Sequence, residues 1–122
     1  MKNSPENMGH DTSREIQVAS EATMSLLEFC QKGDLEGVRA ALQSGADVNT
    51  KDEKYGFTGL SWAVGENHNS VVELLLDTSN IEVNQRNTWG SCALHQAVWH
   101  KNIEGLKLLL NVPNVNIVDK FG

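Results

Sequence analysis

Four histidines and two cysteines are the side chains of this sequence best suited to hold a metal or to take part in covalent chemistry. A zinc site asks for a convergent tetrahedral set of such groups. His95 and His100 are five positions apart, a step that puts two imidazoles on different faces of a helix. His10 and His68 lie far from both, so the histidines assemble no ligand set, and neither a metal nor a cofactor is expected. The sequence holds no glycine-rich phosphate loop and no nucleophile–base constellation, so it is not read as an enzyme. The remaining chemistry is that of contact. Tyr55, Trp62, Trp89, Trp99 and Phe121 are of the residue types that bury large area with little loss of rotamer freedom, as binding hot spots do.

Charge narrows the range of partners. A net charge of −6 with only ten basic residues, scattered along the chain, opposes binding to nucleic acid or to an anionic membrane, since both need clustered Lys and Arg. The longest aliphatic runs, Leu74–Leu76 and Leu108–Leu110, are far too short to span a bilayer. Met1-Lys2-Asn3-Ser4-Pro5 opens no apolar signal segment. Cys30 and Cys92 read as reduced thiols, which suits the cytoplasm or the nucleus.

What positions these residues is a repeat. Leu26, Leu60 and Leu94 are 34 residues apart, and so are Phe29, Ala63 and Ala97, and Leu42, Leu76 and Leu110. A fixed period in this range marks a stacked solenoid whose units bury their apolar faces only against one another. Each unit reads as two helices. The first face, Leu26 to Cys30, stops at Gly33, and Asp34 caps a second helix over Leu35–Gln43. The same pair recurs as Leu60–Glu66 with Asn69–Leu76, and as Leu94–His100 with Ile103–Leu110. Asn67 and Lys101 take the left-handed position of Gly33. Polar stretches from Asp47 to Gly56 and from Glu82 to Gly90 suit hairpin-like fingers. Residues 1–20 are poor in apolar side chains and read as a disordered tail, although Thr12-Ser13-Arg14-Glu15 has the form of a capping box. Gly37 and Gly105 fall inside second helices, where Gly is worse than Ala by about 0.5–1 kcal/mol.

Gly45-Ala46-Asp47-Val48-Asn49, Ala93-Leu94-His95-Gln96-Ala97, Gly33-Asp34-Leu35-Glu36 and Val71–Leu76 resemble ankyrin repeats over residues 25–122. The resemblance implies an all-α ankyrin-repeat solenoid of paired antiparallel helices with hairpin-like finger loops. Residues 21–122 would form that domain, with repeats at 25–55, 56–89 and 90–118 and a truncated fourth finger at 119–122. It also assigns His95 to the turn that opens a first helix and His68 to the position before a second helix. Thr58-Gly59-Leu60-Ser61 keeps the Thr of that turn and loses the His, while Cys92-Ala93-Leu94-His95 does the reverse. Both turns are therefore expected to be looser than the family pattern.

The function implied is that of a scaffold or adaptor, binding a partner protein through the concave face and fingertips, with no small-molecule substrate. Trp62 stands at the variable position that faces the groove, with Gln96 its equivalent one repeat on, and Trp99 stands where polar surface residues are usual. Tyr55, Trp89 and Phe121 precede the finger glycines; contact with a partner and stacking on the adjacent finger both explain such a row. Leu76 to Asn84 resembles the Leu-x5-Asp/Glu-Val-Asn pattern of asparaginyl hydroxylation, which makes Asn84 a candidate for modification. The alternative function is a regulatory or targeting segment of a longer protein, one with an enzymatic domain beyond residue 122 among the options. Leu108, Leu109 and Leu110 are expected to leave an apolar face open at the end of the stack, as in a fragment of a longer array.

Overall fold

The computed structural model describes residues 12–115. These fold into α1 (Thr12–Lys32), α2 (Leu35–Gln43), α3 (Gly59–Gly65), α4 (Asn69–Leu76), α5 (Ala93–Trp99) and α6 (Ile103–Leu110). Among the described residues the only β pairing is an isolated antiparallel bridge between Lys51 and Thr58. The proposed tail therefore needs correction at residues 12–20, which belong to α1. No Gly or Pro interrupts Thr12–Lys32 and Glu15 sits in its first turn, where an acidic side chain favours the helix dipole. Thr23 fixes the helix to the first finger, its Oγ1 accepting from the Asp47 N–H at 2.8 Å. Residues 1–11 and the proposed fourth finger, with Phe121, lie outside the described residues, as does His10.

One turn, used three times, joins each helix pair. Gly33, Asn67 and Lys101 adopt φ of 77°, 68° and 58°, as their shared register requires. The following N–H groups of Asp34, His68 and Asn102 donate back to Phe29, Ala63 and Ala97 carbonyls at 2.9, 2.8 and 2.8 Å, closing the helix ends. Asp34 then caps α2 by accepting from Gly37 N at 2.9 Å, and Asn102 caps α6 by accepting from Gly105 N at 2.9 Å.

Helices α1, α3 and α5 pack side by side in one row, and α2, α4 and α6 in a second. Between the rows lies a continuous core that includes Leu26, Cys30, Val38, Leu60, Val64, Val72, Leu75 and Leu109. Side chains also stitch neighbouring repeats at their polar edges. His68 Nε2 donates to the Gln31 carbonyl at 3.1 Å. One repeat later, Asn102 Nδ2 donates to the Val64 carbonyl at 2.9 Å and pairs with Asn69. Asn102 is 2% exposed, and these bonds satisfy it.

Three local expectations change. Leu109 is buried, so of the three leucines Leu110 is the exposed one, and Val98 and Ile103 are exposed with it. Gly37 and Gly105 are where packing admits no side chain: a Cβ would stand 2.6 Å from Phe29 Cδ1 and 2.4 Å from Asn102 Nδ2. Their lower helix propensity is the cost of that close approach. The two incomplete turns are both closed by the member each retains. Thr58 Oγ1 accepts from Ser61 N at 3.1 Å, and His95 Nδ1 accepts from Cys92 N at 3.0 Å with Cys92 Sγ 3.2 Å away.

Candidate functional site

The fingers are folded by an acidic or amide side chain near the start of each tip. Asp52 Oδ1 accepts from the N–H groups of Tyr55 at 2.6 Å and Gly56 at 2.8 Å. In the next finger Asn87 Oδ1 accepts from Trp89 and Ser91, both at 2.9 Å. Gly56 and Gly90 reverse the chain with φ of 75° and 83°, a region open to Gly at little cost. The two fingers are joined where Thr88 N donates to the Tyr55 carbonyl at 3.0 Å and where Lys51 Nζ donates to the Arg86 carbonyl at 2.8 Å.

Asp52 also anchors the aromatic residues. Its Oδ2 accepts from the Trp62 indole Nε1–H at 2.8 Å. Burial would raise the Asp52 pKa, but the N–H of Tyr55, the Trp62 indole and the backbone of Gly56 and Phe57 outweigh it, and the carboxyl sits below its ordinary value. The Phe57 ring meets Trp62 edge-on at 4.9 Å and approaches Trp89 at 6.5 Å. Tyr55 stacks on Trp89 at 5.6 Å, a finger-to-finger contact and one of the two readings open for that row. The ammonium of Lys54 lies 5.1 Å from the Tyr55 ring centre, within cation–π range.

This cluster borders a groove between the fingers and the row α1, α3, α5. One cleft of about 370 Å³ is bounded by Phe57, Asn87, Trp89, Ser91, Gln96, Trp99 and His100. A smaller hollow of about 180 Å³ adjoins it, sharing Phe57, Gln96 and His100 and adding Trp62 and Glu66. Trp89 and Trp99 are 60% and 79% exposed, so both can present a ring face to a ligand. Gln96 is half-buried. A larger hollow, about 530 Å³, lies on the other row between Leu74, Leu76, Asp77 and Leu108 and offers no aromatic anchor.

The structure thus brings Tyr55, Trp62, Trp89, Gln96 and Trp99 to one side of the stack while giving them different surroundings. Trp62 is half-buried with its indole N–H engaged; Trp99 stands clear at the end of α5. Asn84 lies apart, at the foot of the second finger, where its Nδ2 donates to the Asn114 carbonyl at 2.9 Å. Asn49 does comparable work one repeat earlier, donating to Asn80 O at 2.7 Å and accepting from Glu82 N at 2.8 Å. Phe57 and Asp52 were missed in the sequence. An Asp or Asn a few residues before each finger glycine was the legible signal for Asp52, whereas Phe57 has Ser91 as its counterpart and so leaves no mark in the repeat pattern.

No described group of three or more His, Cys, Asp or Glu could hold a metal ion. No described helix is long and apolar enough to cross a membrane. Cys30 is buried, and burial pushes its thiol up to about 12, so it stays protonated.

Comparison with known proteins agrees with this fold. The family described as Ankyrin repeats (3 copies) matches residues 26–120. Serine/threonine-protein kinase 12 of Arabidopsis thaliana is 37% identical over 84 residues, which is 69% of this chain and 18% of the kinase. Ankyrin repeat domain-containing protein 40 of Mus musculus is 42% identical over 53 residues, 43% of this chain and 15% of that protein. Osteoclast-stimulating factor 1 of Bos taurus is 40% identical over 61 residues, 50% of this chain and 28% of its own length. The chain therefore matches less than a third of the length of each of these relatives.

Proposed function

Because this chain belongs to the ankyrin-repeat family, we propose that it recognises a partner protein through the groove between its fingers and its first helices. The observation that carries this reading is the pair Trp89 and Trp99, 60% and 79% exposed on the rim of one cleft. Exposed rings of this size gain most when a partner covers them. The scaffold around them is already ordered by main-chain bonds, so little entropy is lost on its side. Tyr55 and Trp62 support the site, the first by stacking under Trp89 and the second by holding Asp52 and Phe57. Gln96 supplies a polar group on the groove floor. Recognition needs no cofactor or metal, and the acidic balance of the chain directs it away from nucleic acid and anionic membranes. The cytoplasm, or the nucleus, is the compartment proposed.

Affinity capture with wild type and a Trp89→Ala/Trp99→Ala variant tests this. Retained proteins should be lost from the variant at unchanged melting temperature. Equal capture by both would overturn the groove assignment.

The match to only 18% of a protein kinase favours a second reading, in which these repeats serve as the targeting or regulatory segment of a longer protein. The groove would then dock a neighbouring domain or a substrate protein. Modification of Asn84 is proposed as an addition to either reading, on its sequence pattern; intact-mass analysis of protein from cells, showing or lacking one added oxygen there, decides it.

A further inference from the structure

The cleft beside Trp99 has a chemical character that narrows its occupant. Its aromatic walls are Phe57, Trp89 and Trp99, π systems whose electron-rich faces attract cations. Neither this cleft nor the adjoining hollow is lined by a lysine or arginine, and the hollow adds the carboxylate of Glu66. Glu66 is exposed and forms no ion pair with any described residue. One cation already rests on the same row, where Lys54 approaches the Tyr55 ring at 5.1 Å. The polar groups of the cleft are also unspent: the side chains of Ser91, Gln96 and His100 make no hydrogen bond to another described residue. The chain as a whole is acidic, with a net charge of −6, so approach of a basic segment is favoured over long range.

We infer that this cleft takes an arginine side chain of an extended peptide segment in the partner protein. A guanidinium is flat and weakly hydrated and carries five donors in one plane. It can lie against an indole face while its edge donates to the Gln96 amide oxygen and to the Glu66 carboxylate. A carboxylate side chain would meet the aromatic faces and Glu66 with the wrong sign, and a plain aliphatic one would leave Gln96 without a partner. The inference rests on the groove reading above and specifies what the groove selects.

The test uses the whole chain, isotopically labelled, titrated with capped pentapeptides that differ only at the central residue: arginine, its neutral isostere citrulline, or glutamate. The arginine peptide should shift the indole N–H signals of Trp89 and Trp99. Citrulline should bind roughly twofold to thirtyfold more weakly, the span expected for a lost cation–π contact, and glutamate weaker still. Trp99→Ala should remove the arginine response, and Glu66→Gln should bring arginine toward citrulline without changing the citrulline response. Both positions are exposed, so neither variant threatens the fold. Equal binding of arginine and citrulline, or an arginine response indifferent to Trp99→Ala, would overturn the assignment. If those results came with capture of partner proteins that still depends on Trp89 and Trp99, the groove reading would stand and only its arginine selectivity would fall.

Discussion

Two tryptophans of one groove separate into different roles once their neighbours are known. Trp62 is held by Asp52 and Phe57, so Trp62→Ala removes packing and leaves a carboxylate oxygen without its donor. A loss of about 1–3 kcal/mol is expected in urea unfolding, against less than about 0.5 kcal/mol for exposed Trp99→Ala. The Asp52 carboxyl sets a pH dependence whose sign follows from its depressed pKa. Its stabilising contribution is complete above the unfolded-state value of about 3.9 and is lost as pH falls through the lower folded value. Wild type should therefore lose stability below about pH 4 more steeply than Asp52→Asn, measured as the urea midpoint with tryptophan fluorescence. Parallel curves for the two proteins would show that Asp52 carries no such contribution. At Asn102, one buried amide serves Val64, Asn69 and Gly105. Asn102→Ala should cost about 2–3 kcal/mol. Gly105→Ala should also destabilise, although propensity alone favours Ala there, because its Cβ would collide with that amide.

At the level of helices and turns, most of the architecture could be read from spacing. The 34-residue step placed Gly33, Asn67 and Lys101 at one turn, and their positive φ values follow. Asp34 was legible as a cap because a short acceptor side chain before an apolar helix has one main use there. The start of α1 was less legible. Its first residues present Ile16 and Val18 at 64% and 45% exposure, so no inward apolar stripe announces the helix; continuity with the packed half carries it. Burial of Leu109 was hidden by the run of three leucines, in which composition does not say which one faces inward. The register does: Leu109 corresponds to Leu75, and both are fully buried. The same comparison exposes an asymmetry between repeats. Val64 is 0% exposed beneath the next repeat, whereas its counterpart Val98 is 63% exposed. Helix pair α5–α6 has fewer described neighbours than α3–α4, and stability in stacked repeats follows such interfaces. Amide hydrogen exchange should be faster in α6 than in α4, and equal protection in the two helices would contradict that expectation.

For the whole molecule, the candidate site emerges from repetition and from departures from it. Three similar units give a ready-made groove, and the repeat pattern itself says nothing about what the groove binds. The distinctive information lies where the pattern is broken: Trp62 against Gln96, Phe57 against Ser91, and Trp99 at an exposed helix end. The sequence showed the tryptophans as unusual, but the stacking of Tyr55 on Trp89 depends on how two fingers lie together, with residues more than thirty positions apart in contact. The anchoring of Trp62 depends on how its own finger folds Asp52 and Phe57 back onto it, and local spacing encodes neither. The central claim, that the tryptophan side of the stack is the face that meets a partner, is tested most directly by site-specific photo-crosslinking in cells. A photoreactive residue at position 99 samples the groove, and one at Glu73 samples the outer helix row. The account predicts a discrete crosslinked protein from position 99 that disappears when Trp89 is also replaced by alanine, with none from position 73. Crosslinks from position 73 alone, or products from position 99 that are indifferent to Trp89, would contradict it.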